Sequence, residues 1–294
     1  MKTIVTHNGK FHADDLFAVA ALRLIFPHAD IARTRDEKHI ERADCAVDVG
    51  GMYDEKKDRF DHHQSAGAGK RPNGIPYASF GLVWKKYGEN ISGSRESALN
   101  IDREFVETID AEDNGIGLSN PVFKDVYPFT LPDVVSLFTP TWKEKEADYD
   151  QLFLKILPAA QEIIRRLAAK EEARREGEKM VEAAYLKAAD KRLLILDEAY
   201  SWKRKAAVYP EPLFVLSPEG DKWRVSAVRD DVHTFVNRKD LPSSWAGKRD
   251  QELATLSGVP DAIFCHNNLF VAVSESKEGA IQLAKLAIDN TEYV

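Results

Sequence analysis

The chain has 294 residues, 44% of them hydrophobic and 30% charged, the balance of a soluble globular protein long enough for one large or two ordinary domains. A formal net charge of -7 argues against a protein that coats nucleic acid with its whole surface, so any polyanion has to be met by local basic patches. Cys45 and Cys265, far apart in sequence and flanked by apolar residues, suggest reduced, buried thiols rather than a disulfide framework.

The chain starts with a short buried strand at residues 3–6, which leaves no room for a signal or transit peptide, and no apolar run approaches the roughly 18 residues of a membrane span. A cytoplasmic protein is expected. Residues 14–26 read as a helix, with Leu16, Phe17, Val19, Ala20 and Leu24 at helical spacing and Asp14 and Asp15 in its first turn. Strands follow at residues 29–32 and 45–49, the second ended by Gly50 and Gly51, then helices at 78–87 and 100–110. The middle turns charged and helical from 148 to 191, with an apolar stripe of Phe153, Ile156, Leu157, Ile163, Ile164 and Leu167. Beyond it, residues 193–196, 213–216, 223–228 and 263–273 read as strands and 277–288 as a closing helix with Ser276 as its N-cap. Alternation of short strands and helices favours an α/β fold with a parallel sheet in the first domain. The change of pattern places a first domain with its helical connector at 1–190 and a second, smaller α/β domain at 191–294.

Six of the eight histidines fall in the first 63 residues. His7 and His12 stand in a Thr6-His-Asn-Gly-Lys-Phe-His-Ala-Asp-Asp15 run, Asp48 in Val47-Asp-Val-Gly-Gly51, and His62 and His63 in Phe60-Asp-His-His-Gln64. His7, Asp48 and His62 each stand at or just after a strand-like run, and in parallel sheets ligands collect beyond the carboxyl ends of the strands. Mixed imidazole and carboxylate donors suit divalent cations, and a pair of these is a recurrent device for attacking phosphate esters. Metal-assisted hydrolysis is therefore the expected chemistry.

These segments, with Ile109-Asp-Ala-Glu-Asp-Asn-Gly115, resemble the four metal-binding motifs of the DHH phosphoesterase superfamily. In wording they are similar to its Myg (melanocyte proliferating gene one) family of metal-dependent hydrolases, some of them RNA exonucleases. Pro76-Tyr-Ala-Ser-Phe-Gly-Leu82 and residues 235–245 extend the resemblance over most of the chain. It implies a DHH-type first domain and two divalent ions, Mn2+ foremost, with Zn2+, Fe2+, Co2+ or Mg2+ as alternatives. Asp48 would bridge them, His7 and His12 completing one site and Asp14, His62 and Asp110 the other, with Asp113 a rival for the place of Asp110. His63 would bind phosphate, Asp61 would orient a histidine, and Asp15 would do likewise or move a proton. The chain departs from the superfamily in carrying His12-Ala-Asp14 where an Asp-x-Asp pair is usual, and it lacks an evident glycine-rich substrate motif.

For substrate, basic clusters at 203–205, Arg238-Lys239 and Lys248-Arg249, interleaved with Trp202, Trp223, Phe235 and Trp245, offer phosphate contacts and stacking faces for a single strand. His266 is added as a contact because it closes an apolar strand. Solvated charge beside core aromatics is the plainer reading. The expected partner is single-stranded RNA or an oligonucleotide, and a homodimer is compatible with the chain. The alternatives are a phosphatase or pyrophosphatase of a small metabolite, or a non-catalytic, metal-containing RNA-binding protein.

Overall fold

The structure, a computed structural model, describes residues 1–231 and 234–291. The chain divides into two compact units, Met1–Glu172 and Ala173–Val294. Residues assigned above to the helical connector form one helix, and the division falls within it.

In the first unit, β1 (Thr3–Thr6), α1 (Ala13–Ile25), β2 (Asp30–Arg33), α2 (Glu37–Arg42) and β3 (Cys45–Val47) follow in succession, then two short strands, β4 (Tyr53–Asp54) and β5 (Arg59–Phe60). Helices complete it: α3 (Ser79–Ser92), α4 (Arg95–Ile101), a π-helical turn over Asp102–Val106, α5 (Glu107–Asp113), α6 (Leu131–Ser136) and the start of α7 (Tyr149–Lys187). The sheet has the order β2-β1-β3-β5-β4, parallel except for the edge pair β4 and β5. Side chains alternate across it as the strand repeat requires. Ile4, Cys45 and Val47 face the main core with Phe17, Phe80 and Phe153, whereas Val5 and Ala46 meet Ile40 of α2 on the other face.

Helix α1 is buried from Ala13 to Leu22, so its run Leu-Phe-Ala-Val-Ala-Ala-Leu is apolar all round, as expected of a helix enclosed in a core. β4 and β5 have two residues each, and of the two only the run before His62 is strand-like in sequence. Where a single helix was expected at 100–110, α4, the π turn and α5 succeed one another, and α5 runs on to Asp113.

The second unit holds a mixed sheet, β6-β7-β8-β10-β9, built from β6 (Leu193–Ile195), β7 (Phe214–Glu219), β8 (Lys222–Ala227), β9 (Ala262–Cys265) and β10 (Val271–Ser274). Only β6 and β7 are parallel. Helices α8 (Lys203–Val208), α9 (Asp250–Ser257) and α10 (Lys277–Asp289) accompany it, and Ser276 caps α10 by accepting from the Gly279 amide at 3.0 Å. The expected strand at 263–273 is two antiparallel strands. A tight turn closed by Leu269 N–H to His266 O at 2.9 Å separates them, with Leu269 at a φ of 56°. Both cysteines are free and buried, and burial pushes each thiol up to about 12.

The start of α3 is the tightest point of the first unit. A Cβ on Gly81 would lie 1.8 Å from Asp110 Oδ2. Gly81→Ala is therefore expected to cost about 1–3 kcal/mol, as overpacking does in a close-packed core. Thermal melting checks this, and an unchanged Tm would contradict it.

Candidate metal centre

Three neighbouring parallel strands deliver the site. His7 follows β1, Asp48 follows β3, and Asp61, His62 and His63 follow β5, all at the carboxyl edge of the sheet. His12, Asp14 and Asp15 come from the start of α1, and Asp113 ends α5. A cleft of about 970 Å3 opens there, lined by the four histidines together with Asp14, Asp48, Asp61 and Asp113.

Asp48 is its centre. One carboxylate oxygen lies 3.3 Å from His7 Nε2; the other lies 3.3 Å from His63 Nδ1 and 3.5 Å from His62 Nε2, and accepts from Ser79 Oγ at 3.2 Å. The backbone places it there at a φ of 53°, in the left-handed region that aspartate tolerates better than most residues. Gly50 and Gly51 follow with φ of 96° and 64°, and the Gly51 amide donates to Asp61 Oδ2 at 2.5 Å. The glycines thus serve the turn itself, and Asp61 is braced by it. From there Asp61 Oδ1 accepts from the His63 amide at 3.0 Å and lies 2.8 Å from its Nδ1.

Asp14 spends both oxygens on the first turn of α3, accepting from Ser79 N at 3.0 Å and Phe80 N at 2.7 Å. Asp15 Oδ1 caps α1 from the His12 amide at 2.7 Å, while its Oδ2 lies 3.5 Å from His7 Nε2 and 4.0 Å from Arg33. Burial raises the Asp14 carboxyl well above the ordinary range, with Asp113, Asp48 and Asp110 adding repulsion. Burial likewise pushes Asp15 up to about 7, against the pull of His7. Asp48 behaves oppositely: burial disfavours its charge, but the imidazoles of His62 and His7 outweigh that and hold it well below the usual carboxylate range. For His62 burial disfavours protonation, yet Asp113 and Asp48 push it up to about 10.

The donors fall into three groups, His7 with His12 and Asp15, Asp48 with His62 and His63, and Asp14 with His62 and Asp113, each with its ligand atoms within 4.8 Å of one another. His62 joins two of the groups. Two buried atoms in this set, Asp15 Oδ2 and His62 Nε2, make no hydrogen bond of good geometry among the described residues, although His62 Nε2 has Asp113 Oδ2 at 3.2 Å and Asp15 Oδ2 has His7 Nε2 at 3.5 Å. Buried polar atoms are rarely left so, and a crowd of imidazoles and raised carboxyls with spare lone pairs is what a divalent cation satisfies. The residues present fit such an ion.

Asp110 is not brought into these groups. It is fully buried and accepts from Gly81 N at 3.0 Å and Arg71 Nη1 at 2.6 Å. Burial still pushes it up to about 7 against the pull of Arg71. Its rival Asp113, one helical turn on, stands 3.2 Å from His62 Nε2 and faces the cleft. Arg71 was not singled out in the sequence, and neither was Ser79, whose hydroxyl reaches Asp48; no local pattern marks either, because their partners lie 31 or more residues away.

The substrate residues expected in the second unit are placed otherwise. Arg238 donates to the carbonyls of Ala207, Tyr209 and Pro212, and Lys239 to those of Ile288 and Asn290. Both neutralise the carboxyl ends of helices, α8 and α10, where cations are favoured. His266 Nδ1 accepts from the Asn268 amide at 3.0 Å and its ring packs between Phe264 and Phe270, serving the β9–β10 turn. Sequence shows a cation but not whether a helix end has already claimed it.

The family model described as "Uncharacterised protein family (UPF0160)", MYG1_exonuc, matches residues 3–288. The chain belongs to the MYG1 family. A MYG1 protein of Schizosaccharomyces pombe is 33% identical over 97% of this chain and 97% of its own, and the MYG1 exonuclease of Homo sapiens 30% identical over 99% and 87%. Among solved structures, RecJ in complex with Mg2+ from Thermus thermophilus aligns with a TM-score of 0.29 at 12% identity, covering this whole chain and 50% of that one, a likeness too slight to bear on fold or function. In this MYG1 family member Asp110 lies inside the core and Asp113 lines the cleft.

That division can be tested. Arg71→Ala strands a buried Asp110 and is expected to cost about 3–5 kcal/mol, read by denaturant unfolding. Asp113→Asn is expected to weaken Mn2+ binding measured by calorimetry, with stability nearly unchanged. Equal Mn2+ affinity in Asp113→Asn and wild type would remove Asp113 from the site. Arg238→Ala is expected to lower Tm without changing oligonucleotide affinity, since its donors are spent on carbonyls.

Proposed function

We propose that the chain is a metal-dependent phosphoesterase acting as an exonuclease on single-stranded RNA or short oligonucleotides. The observation that carries this reading is Asp48, a depressed carboxylate held between His7 on one side and His62 and His63 on the other, at the shared edge of three parallel strands. Relatives from Homo sapiens and Rattus norvegicus bear the name MYG1 exonuclease, which supports the same chemistry.

On this reading His7, His12 and Asp15 would hold one divalent ion and Asp14, His62 and Asp113 the other, with Asp48 contributing a further ligand. Three imidazoles in the set favour Mn2+ over Mg2+, with Zn2+, Fe2+ and Co2+ also accommodated. The ions would supply the Lewis acidity that sharpens an attacking water and offsets charge on the phosphoryl oxygens. His63 is the histidine left toward solvent, its side chain 62% exposed, and Asp61 fixes it with one ring nitrogen committed. Its other ring nitrogen is therefore left toward a substrate phosphate, to which it donates when both ring nitrogens carry protons. Gly51, which lines the cleft and where a Cβ would meet nothing within 4 Å, leaves its wall low enough for a phosphate to approach. Buried thiols at Cys45 and Cys265 accord with a reducing, cytoplasmic setting.

The test uses purified protein stripped of metal, then supplied with Mn2+ and end-labelled single-stranded RNA. Stepwise shortening is expected, lost by at least about 100-fold in Asp48→Asn together with metal binding. His63→Ala is expected to lose about 100-fold or more in kcat, as removal of one preorganised donor does, while retaining its metal. Undiminished turnover in Asp48→Asn would overturn the proposal, and hydrolysis of p-nitrophenyl phosphate without RNA cleavage would replace RNA by a small phosphate ester.

A further inference from the structure

The second unit contains a cavity of about 450 Å3 that none of the site residues above explains. Its floor is one face of the sheet. Alternation along β7 and β8 sends Phe214, Leu216, Val225 and Ala227 to the core under α10, and Val215, Ser217, Arg224 and Ser226 to the opposite face. Val215 is covered there with Leu194 and Leu196 by α8 and the end of α7. Ser217 and Ser226, farther along, open onto the cavity, and among the described residues neither hydroxyl has a hydrogen-bond partner.

The rim is aromatic and cationic. Trp202 and Phe270 line it, Phe270 39% exposed. Lys203 and Arg229 line it as well, and neither pairs with a carboxylate among the described residues, in contrast to Arg224, which Glu219 engages through two nitrogens. Arg229 also lies over the Phe235 ring, 4.5 Å from its centroid, so in a chain of net charge -7 two cations with no carboxylate partner among the described residues stand beside an indole. The arrangement differs from that of Arg238, whose Nη atoms donate to three carbonyls and whose Nε faces Asp230 at 3.7 Å, and of Lys239, which donates to two carbonyls.

We propose that this cavity binds one nucleotide unit of a single-stranded nucleic acid. The base lies against Trp202 and Phe270, the hydroxyls of Ser217 and Ser226 meet its polar edge or the sugar, and Lys203 and Arg229 hold the adjoining phosphate. Each part answers a chemical need: an unstacked base recovers stacking on an aromatic face, and a phosphate seeks cations not already neutralised. A duplex offers no free base face and is not a fit occupant. The cavity falls within the range of about 300–1,000 Å3 usual for small-ligand sites. The assignment stands on the second unit alone and does not depend on the hydrolytic chemistry of the first.

The test is equilibrium binding of a fluorescein-labelled single-stranded RNA to the full chain in chelator, where no turnover occurs, followed by anisotropy across a salt series. In Lys203→Ala/Arg229→Ala the affinity is expected to fall about tenfold or more, and the slope of log K against log salt to shrink by about 1.4, the loss of two phosphate contacts on a single strand. Trp202→Leu is expected to weaken binding about tenfold at unchanged slope, and Trp202→Phe to restore most of it. Unchanged affinity and slope in the double variant, with the wild-type circular dichroism spectrum, would overturn the proposal. So would a polyglutamate peptide binding as tightly as the RNA and insensitive to Trp202→Leu, which would make the cavity a plain anion site. Because hydrolysis plays no part in the readout, failure here leaves the phosphoesterase reading standing, and failure of that reading leaves this one intact.

Discussion

The first turn of α3 is the constraint on which the first unit depends. Its amides, unpaired within the helix by geometry, are met by buried carboxylates from two other helices: Asp14 of α1 takes Ser79 and Phe80, and Asp110 of α5 takes Gly81. Each carboxyl is costly to bury, and the positive end of a helix offsets part of that cost, with Arg71 adding to it at Asp110. Ser79 extends the link through its hydroxyl to Asp48. One helix end thereby fixes α1, α5 and the turn after β3 with respect to one another.

The electrostatics of the cleft follow from that fixation. Burial raises the Asp14 and Asp15 carboxyls, with repulsion from neighbouring carboxylates added, while His7 and His62 are drawn toward their charged forms. Strained backbone at Asp48 belongs to the same account. A left-handed aspartate costs of order 1 kcal/mol or more and persists where its surroundings overdetermine it, which β5, Ser79 and the glycine pair do here. Donor atoms left unpartnered in such a setting have a physical use in binding a cation.

In the second unit the same principle separates cations by occupation. Arg238 and Lys239 look like phosphate ligands in a sequence and are helix terminators in space, whereas Lys203 and Arg229 keep their charge available. The distinction is between a positive charge whose hydrogen-bond capacity is spent and one whose capacity is not. Composition cannot record it.

The strand ends bearing His7, Asp48 and His62, the α1 helix with its acidic first turn, and the mixed α/β character could all be read directly, because apolar periodicity and chain punctuation are local. Asp61 could be read as an orienting residue because its partner is two positions away. Local pattern failed where pairing was distant: it ran β9 and β10 together because an apolar stretch conceals a turn made with a left-handed Leu269, and the resemblance that offered Asp110, with Asp113 as its rival, carried no sign that Gly81 and Arg71 hold Asp110. Thus the sequence alone determined which residue types reach the carboxyl edge of the first sheet, since strand and helix periods place them there. Only the tertiary structure decided which aspartate of the fourth motif faces the cleft, which cations are spent and which groove is left open, since those outcomes depend on which buried donor finds which acceptor across tens of residues.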